Sequence, residues 1–360
     1  MADLFDSLSL QGAEIPNRVM VSPMCQYSCA GDGLATEWHR VHLGSRAVGG
    51  AGLVMTEATA VTPRGRISPQ DLGIWSREHA DRLAPVAEFV RAQGSVPGIQ
   101  LAHAGRKAST YRPFDERSGP IHGEDGWTPV GPTDEPYPHD EPLATERLDQ
   151  EGIEDVIDSF AAAAERAHGA GFEVAEVHGA HGYLLHEFCS PVTNTREDDY
   201  GGDFEGRTRL LREVTAAVRE VWPDDRPVFV RLSATDWLPD RESWTVEDTA
   251  RVAGDLAAVG ADLIDVSAGG IHPDQQVPDA GPHYQVPYAE RVREESGVAV
   301  GAVGGITTPE GADEVVRNGR ADLAILGREH LRDPYFTLHA ARELGREDAV
   351  DVPDQYDRAF

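Results

Sequence analysis

The chain has 360 residues, 62 acidic and 32 basic, giving a formal charge of −30 and a pI near 4.7. An acidic surface of this density disfavours nucleic acid and anionic membranes as partners. It suits solubility at high salt, where screening weakens self-repulsion, so a halophilic cytoplasm is the expected setting.

Three cysteines (Cys25, Cys29, Cys189) are too few for a disulfide framework in so long a chain. No apolar run reaches membrane-spanning length, and the start M-A-D-L-F-D-S-L lacks a signal peptide's basic and apolar regions. A reducing, cytoplasmic location is expected.

In chain order, Asn17–Met24 reads as a first strand, Thr36–Val48 as a helix, and Gly52–Ala58 as a strand apolar enough to be buried on both faces. His79–Gln93 is amphipathic, and Val96–Ala102 is a third strand. Residues 111–143, rich in proline, glycine and charge, read as a long surface loop over the site. Gly152–Ala167 is helical with Ile153, Val156, Ile157, Phe160 and Ala164 on one stripe. Further strands are expected at Val174–Val177, Pro227–Ser233, Ala261–Ser267, Val298–Val303 and Ala321–Leu326. Helices are expected at Phe204–Val221, Val246–Val259, Tyr288–Glu295, Pro309–Asn318 and Pro334–Leu344.

Eight strands alternating with helices predict an α/β fold of the (β/α)8 TIM-barrel type. One domain over residues 1–360 is expected, with a long loop near 108–145 and a C-terminal tail at 345–360. A doubly wound sheet is the weaker alternative, since no G-x-G-x-x-G follows the first strand.

In such a barrel the strand ends carry the chemistry. The stretch V-A-E-V-H-G-A-H-G-Y-L-L-H-E-F, Val174–Phe188, puts His178 and His181 where a strand becomes a loop, beside Tyr183. Two neutral imidazoles can ligate a metal or donate two hydrogen bonds to one oxygen. The last two strands end in Gly304-Gly305 and Gly327-Arg328, a pattern suited to phosphate, since glycine admits backbone N–H groups to an anion. Arg231 interrupts the apolar V-F-V-R-L and needs an anion, which a buried carboxylate such as Glu57 would also supply.

S-P-M-C-Q-Y, G-I-Q-L-A-H-A-G-R-K, H-G-A-H-G-Y-L-L-H-E-F, Y-G-G and L-G-R-E-x-L-R-D-P occur in this order. From about Phe5 to Phe360 the chain resembles the Old Yellow Enzyme family, and within it the thermophilic-like bacterial class. The resemblance implies an FMN-containing barrel that uses NAD(P)H to reduce activated C=C bonds of α,β-unsaturated carbonyl compounds by a ping-pong route through flavin N5.

It also implies roles. Ser22, Pro23, Met24 and Cys25 would line the flavin, with Cys25 tuning its potential. Ala58 and Gln100 would hydrogen-bond the ring, and Arg231 would face its N1/O2 edge. Gly304, Gly305, Gly327 and Arg328 would hold the phosphate. His178 and His181 would bind the substrate carbonyl, Tyr27 would touch substrate, and Tyr183 would donate the proton. Arg358, in the tail Y-D-R-A-F, would reach a neighbouring subunit's site in a homo-oligomer. The chain departs from the family at Gly179, where alanine is common, and at Phe360, where tryptophan is usual. A metal-dependent hydrolase built on His178, His181 and His186 is the rival from another class, and a dienoyl-CoA reductase the rival among flavoenzymes. The first leaves Arg231 and the glycine turns unexplained. The second would need a cysteine cluster and a second nucleotide domain.

Overall fold

A computed structural model describes residues 2–359. Eight parallel strands close a barrel in sequential order: β1 Val19–Val21, β2 Leu53–Ala60, β3 Val96–Ala102, β4 Val174–Gly179, β5 Val228–Ser233, β6 Leu263–Ser267, β7 Ala299–Val303 and β8 Leu323–Leu326. Around them run α1 Glu37–Val48, α2 Arg77–Ala92, α3 Gln150–Gly169, α4 Leu184–Cys189, α5 Phe204–Val221, α6 Val246–Ala258, α7 Val286–Ser296 and α8 Pro309–Arg317. Two further helices follow, α9 Arg328–Arg332 and α10 Phe336–Glu343. The predicted TIM barrel is thus the fold. Among the described residues no helix is long and apolar enough to cross a membrane.

The period-two alternation of the strands builds the barrel in layers. Val177, Val230, Ile264 and Leu101 face outward and pack with Phe160, Leu211, Val214 and Leu256 of the helices. Inward-facing Met20, Leu53, Met55, Val96, Val174, Phe229, Leu263 and Leu323 fill the bottom, closed by the hairpin Leu8–Leu10/Ala13–Ile15 through Leu8, Leu10 and Ile15. Nothing in the short N-terminal lead had signalled that hairpin. Two residues further along their strands the inward positions turn polar: Glu176, Arg231 and Asp265. The next step reaches His178, Ser233 and Ser267 at the mouth.

Some element ends move from their expected places for local reasons. The first strand stops at Val21, because Pro23 offers no N–H to continue a ladder. α3 starts earlier, with the Asp149 carboxylate accepting from Gly152 N at 2.9 Å as N-cap. The helix expected at Pro334–Leu344 is α10, which starts two residues later at Phe336, and the unexpected α9 ends at Arg332, before Asp333-Pro334, where the residue before proline resists the helical region. The loop at 108–145 has little regular structure. Its two-residue strand Val130–Gly131 pairs with Glu146–Arg147, and its Tyr137 ring lies 5.4 Å from Lys107 Nζ, above the barrel mouth.

Candidate active site

β4 delivers His178 beside Arg231, its register partner on β5. The chain then turns through Gly179 and Ala180 to His181, whose φ of +60° is uncommon for a residue with a side chain. Two bonds hold this conformation: His181 N donates to Ser233 Oγ at 2.9 Å, and Nε2 meets Ser267 Oγ at 2.8 Å. Gly182 follows at φ +70°, where a Cβ would lie 2.2 Å from the Gly270 carbonyl, so only glycine fits. Gly179 is not under the same constraint, and its surroundings are tight but not closed. A methyl there would press on Leu211 and Leu232 at 3.0 and 3.3 Å.

The His178 ring stands at 82° to His181 with centroids 5.2 Å apart, and at 76° to Tyr183, also 5.2 Å away. Burial, reinforced by Arg231, holds both imidazoles well below the usual histidine range, so both are neutral at pH 7. Among the described residues His178 Nδ1 is buried without a hydrogen-bond partner. Burial likewise raises the Tyr183 phenol, which keeps its proton.

His186 does not join this group. Its Nδ1 accepts from Gly182 N at 2.9 Å and its Nε2 lies 3.0 Å from Asp236 Oδ1, so it pins the turn. Among the described residues no group of three or more His, Cys, Asp or Glu side chains could share a metal ion. The hydrolase rival therefore has no ligand set here.

The other expected residues converge on the same mouth. Ser22 N donates to Leu326 O at 2.9 Å, joining the ends of β1 and β8, and Ser22 Oγ lies 3.4 Å from Arg231 Nη1. Pro23 and Met24 continue that loop, half-buried. A Cβ on Gly327 would sit 3.8 Å from both Ser22 Cβ and Met24 Sδ. Cys25 is half-buried beside the Tyr27 hydroxyl; burial first, then the charges of Asp71 and Glu57, raise its thiol. Tyr27 has φ +50°. Ala58 lies opposite Gln100 in register, just past a β-bulge in β2, and Gln100 Nε2 donates to Glu176 Oε1 at 2.7 Å.

Arg231 corrects one expectation. Its carboxylate is Asp265, with Nε 3.2 Å from Oδ2, whereas Glu57 pairs with His39 at 3.3 Å and accepts from Gln26 N at 2.8 Å. The cause is register. Asp265 is the direct neighbour of Arg231 on β6, while Glu57 sits at the β2 bulge.

Four residues with no role assigned from the sequence complete the mouth. Lys107, the chain's single lysine, donates to the carbonyls of His181 and Gly270 at 2.8 and 3.1 Å. It lies 4.9 Å from the Tyr183 ring, and burial pushes it down to about 8. Tyr137 comes from the long loop. Ser267 and Gln285 orient His181, their own contact being 3.3 Å. The sequence signals for Lys107 were its singularity and its place just beyond the third strand, and for Ser267 its place at a strand end.

Gly304, Gly305, Gly327 and Arg328 line one cavity of about 500 Å³ with Met24, Ser267 and Gln285, a size usual for cofactor sites. Gly304 and Gly305 have φ of +117° and +73°, which turns their backbone in a way side-chain-bearing residues resist. Arg328 has no ion-pair partner among the described residues. An unneutralised arginine beside a glycine cradle fits a phosphate, and the adjoining mouth with Ser22, Gln100 and Arg231 fits the planar ring of a flavin. Arg358 stays outside: it is exposed in a tail that packs Tyr356 against Tyr335 at 5.9 Å, and Phe360 lies beyond the described residues.

Known proteins agree. Residues 3–347 match the NADH:flavin oxidoreductase / NADH oxidase family. The chain is 46% identical over 358 residues to an NADPH dehydrogenase of Geobacillus sp. (strain WCH70), covering 99% of this chain and 98% of that one. It is 44% identical over 359 residues to one of Bacillus subtilis (strain 168), covering 99% of each. A solved structure of morphinone reductase in complex with tetrahydroNAD superposes with a TM-score of 0.77 at 27% identity, over 98% of this chain and 93% of that one. The chain belongs to the NADH:flavin oxidoreductase / NADH oxidase family, the Old Yellow Enzyme-like barrels, and is an FMN-dependent oxidoreductase with NAD(P)H as its reductant.

Proposed function

We propose that the enzyme is an ene-reductase that saturates the C=C bond of α,β-unsaturated carbonyl compounds, with nicotinamide and substrate occupying the same mouth in turn. The carrying observation is the pair of neutral imidazoles, perpendicular and 5.2 Å apart, with a phenol at the same distance from one of them. The residues that would hold FMN are Ser22, Pro23, Met24, Cys25, Ala58, Gln100 and Arg231 for the ring, and Gly304, Gly305, Gly327 and Arg328 for the phosphate. Bound FMN supplies the hydride store that NAD(P)H fills and the substrate empties.

His178 donates through Nε2 to the substrate oxygen, where negative charge develops. His181 donates through Nδ1 once Ser267 turns its hydroxyl proton toward Nε2, giving up the long 3.3 Å contact to Gln285. Tyr183 delivers its proton to the α-carbon. Lys107 faces this phenol's ring and steadies the His181 turn through the backbone. Tyr27, beside Cys25, closes the substrate side.

Neutral donors set the pH behaviour. A lowered histidine pKa means the folded protein binds the extra proton only well below the ordinary value of 6.5. Turnover of NADPH and 2-cyclohexenone to cyclohexanone, followed by product analysis, should therefore show no histidine-linked fall in kcat/KM from about pH 8 to about pH 6. An acid limb centred near the ordinary histidine value would contradict the reading. Absence of cyclohexanone would end it.

A homo-oligomer is part of this reading. Trp38 and Val41 of α1 and Leu331 of α9 are exposed apolar side chains, at 53%, 62% and 47%, and the exposed Arg358 could enter a second copy's site. Sedimentation should give a dimer or larger, and full activity in a strict monomer would refute this role for Arg358. The charge of −30 points to a salt-rich host. Stability that does not fall on dilution from molar to millimolar salt would refute that.

A further inference from the structure

Beneath the expected ring position, the barrel interior holds more charge than the hydride chemistry uses. Glu176 on β4 and Asp265 on β6 are both 0% exposed and occupy the same inward layer, with Arg231 of β5 between them, itself 5% exposed. Gln100 from β3 donates to Glu176 Oε1 at 2.7 Å, and Arg231 Nε lies 3.2 Å from Asp265 Oδ2. Among the described residues Glu176 Oε2, both Asp265 carboxylate oxygens and Arg231 Nε have no hydrogen-bond partner. The other groups facing this layer are Ser22 Oγ, 3.4 Å from Arg231 Nη1, and the neutral His178 one inward step above Glu176.

Two buried carboxylates against one guanidinium would leave an uncompensated negative charge, which a low-dielectric interior does not tolerate. One of them therefore holds a proton. Burial, with Asp265 adding to it, raises Glu176, and burial raises Asp265 against the pull of Arg231.

The arginine expected to meet the ring's charge is thus already committed to Asp265. We infer that Glu176 and Asp265 form a proton store beneath Arg231, which takes up a proton when the cofactor is reduced and so frees the guanidinium to face the added charge. NAD(P)H transfers two electrons and one proton as hydride, leaving the cofactor site one negative charge richer. The carboxyl pair takes one further proton from solvent and passes from one proton to two. When hydride leaves for the acceptor, that proton returns to solvent.

The inference rests on membership of the FMN family and not on the ene-reductase reading. The test uses no enone, so the two can fail separately. Holoenzyme is titrated anaerobically with dithionite across pH 5.5–9, and the midpoint potential gives the protons taken up per two electrons. The reduced ring's absorption spectrum reports whether the ring itself holds the second one. Near neutral pH the wild type is expected to take up about two protons per two electrons, falling to about one at alkaline pH. The spectrum should show only one of them on the ring. E176Q/D265N should take up about one throughout. If the double variant does not fold, the infrared difference spectrum of wild-type holoenzyme decides, with a deuterium-sensitive protonated-carboxyl band growing on reduction. One proton throughout in the wild type, a second proton located on the ring, an unchanged double variant, or no carboxyl band would each overturn the inference.

Discussion

Arg231→Met is expected to cost about 3–5 kcal/mol of stability near neutral pH, because removing one partner strands the carboxylate charge that it offset. Asp265 loses its 3.2 Å ion pair, and Glu176 loses the guanidinium that lowers its pKa. Methionine keeps most of the stem's volume, so the loss is electrostatic and not a cavity effect. The sign of its pH dependence follows from the raised carboxyls. A carboxyl whose folded pKa lies above its unfolded value stabilises the fold while protonated and loses that contribution as pH rises. Both carboxyls can be neutral in acid, so the variant's deficit should shrink from pH 7.5 toward pH 5. Urea unfolding of holoenzyme at the two pH values, at fixed FMN, measures this. A deficit under about 1 kcal/mol, or one equal at both pH values, would show that the carboxylates do not depend on Arg231.

The second large effect belongs to His178. Losing one preorganised donor to a developing oxyanion costs about 10²–10³ in rate, so His178→Ala should lose that much in cyclohexenone-dependent turnover. Flavin reduction by NADPH in the absence of enone should change by only a few-fold, since no carbonyl oxygen gains charge in that half-reaction. Equal losses in both half-reactions would mean that His178 shapes the mouth and does not grip the substrate. The perpendicular ring contacts with His181 and Tyr183 make such a structural role testable, because His178→Asn keeps a donor while losing the ring.

These two residues also mark how far the sequence could be read. Arg231 was visible because one charge stood inside V-F-V-R-L, and such a charge needs an anion. Its partner was not visible, because that depends on which residue of another strand falls in register with it. Asp265 and Glu176 carried the same signal, single carboxylates within I-D-V-S and V-A-E-V. Reading the three together, two residues inward from the bottom layer on successive strands, would have found the cluster. The histidine turn was legible for the opposite reason: strand, glycines, imidazoles and phenol are contiguous in the chain. The barrel itself followed from eight local alternations of period two with helical stripes. Lys107 and Tyr137 drew no role because loop geometry brings them to the mouth, and Ser267, the last residue of β6, because its contact to His181 depends on another element; the Leu8–Ile15 hairpin was missed because its strands have three residues each. His186 looked like a third ligand by spacing, but the fold gives both its nitrogens to Gly182 and Asp236.

One mouth is expected to serve NAD(P)H and an enone in turn, with the histidine pair polarising the carbonyl. The flavin absorbance of anaerobic holoenzyme, followed through both halves of the cycle, tests this. NADPH should bleach it. After the nicotinamide is removed, 2-cyclohexenone should restore it while forming one cyclohexanone per flavin, and far more slowly in His178→Ala. A flavin that NADPH bleaches and that only oxygen, never the enone, restores would contradict this expectation.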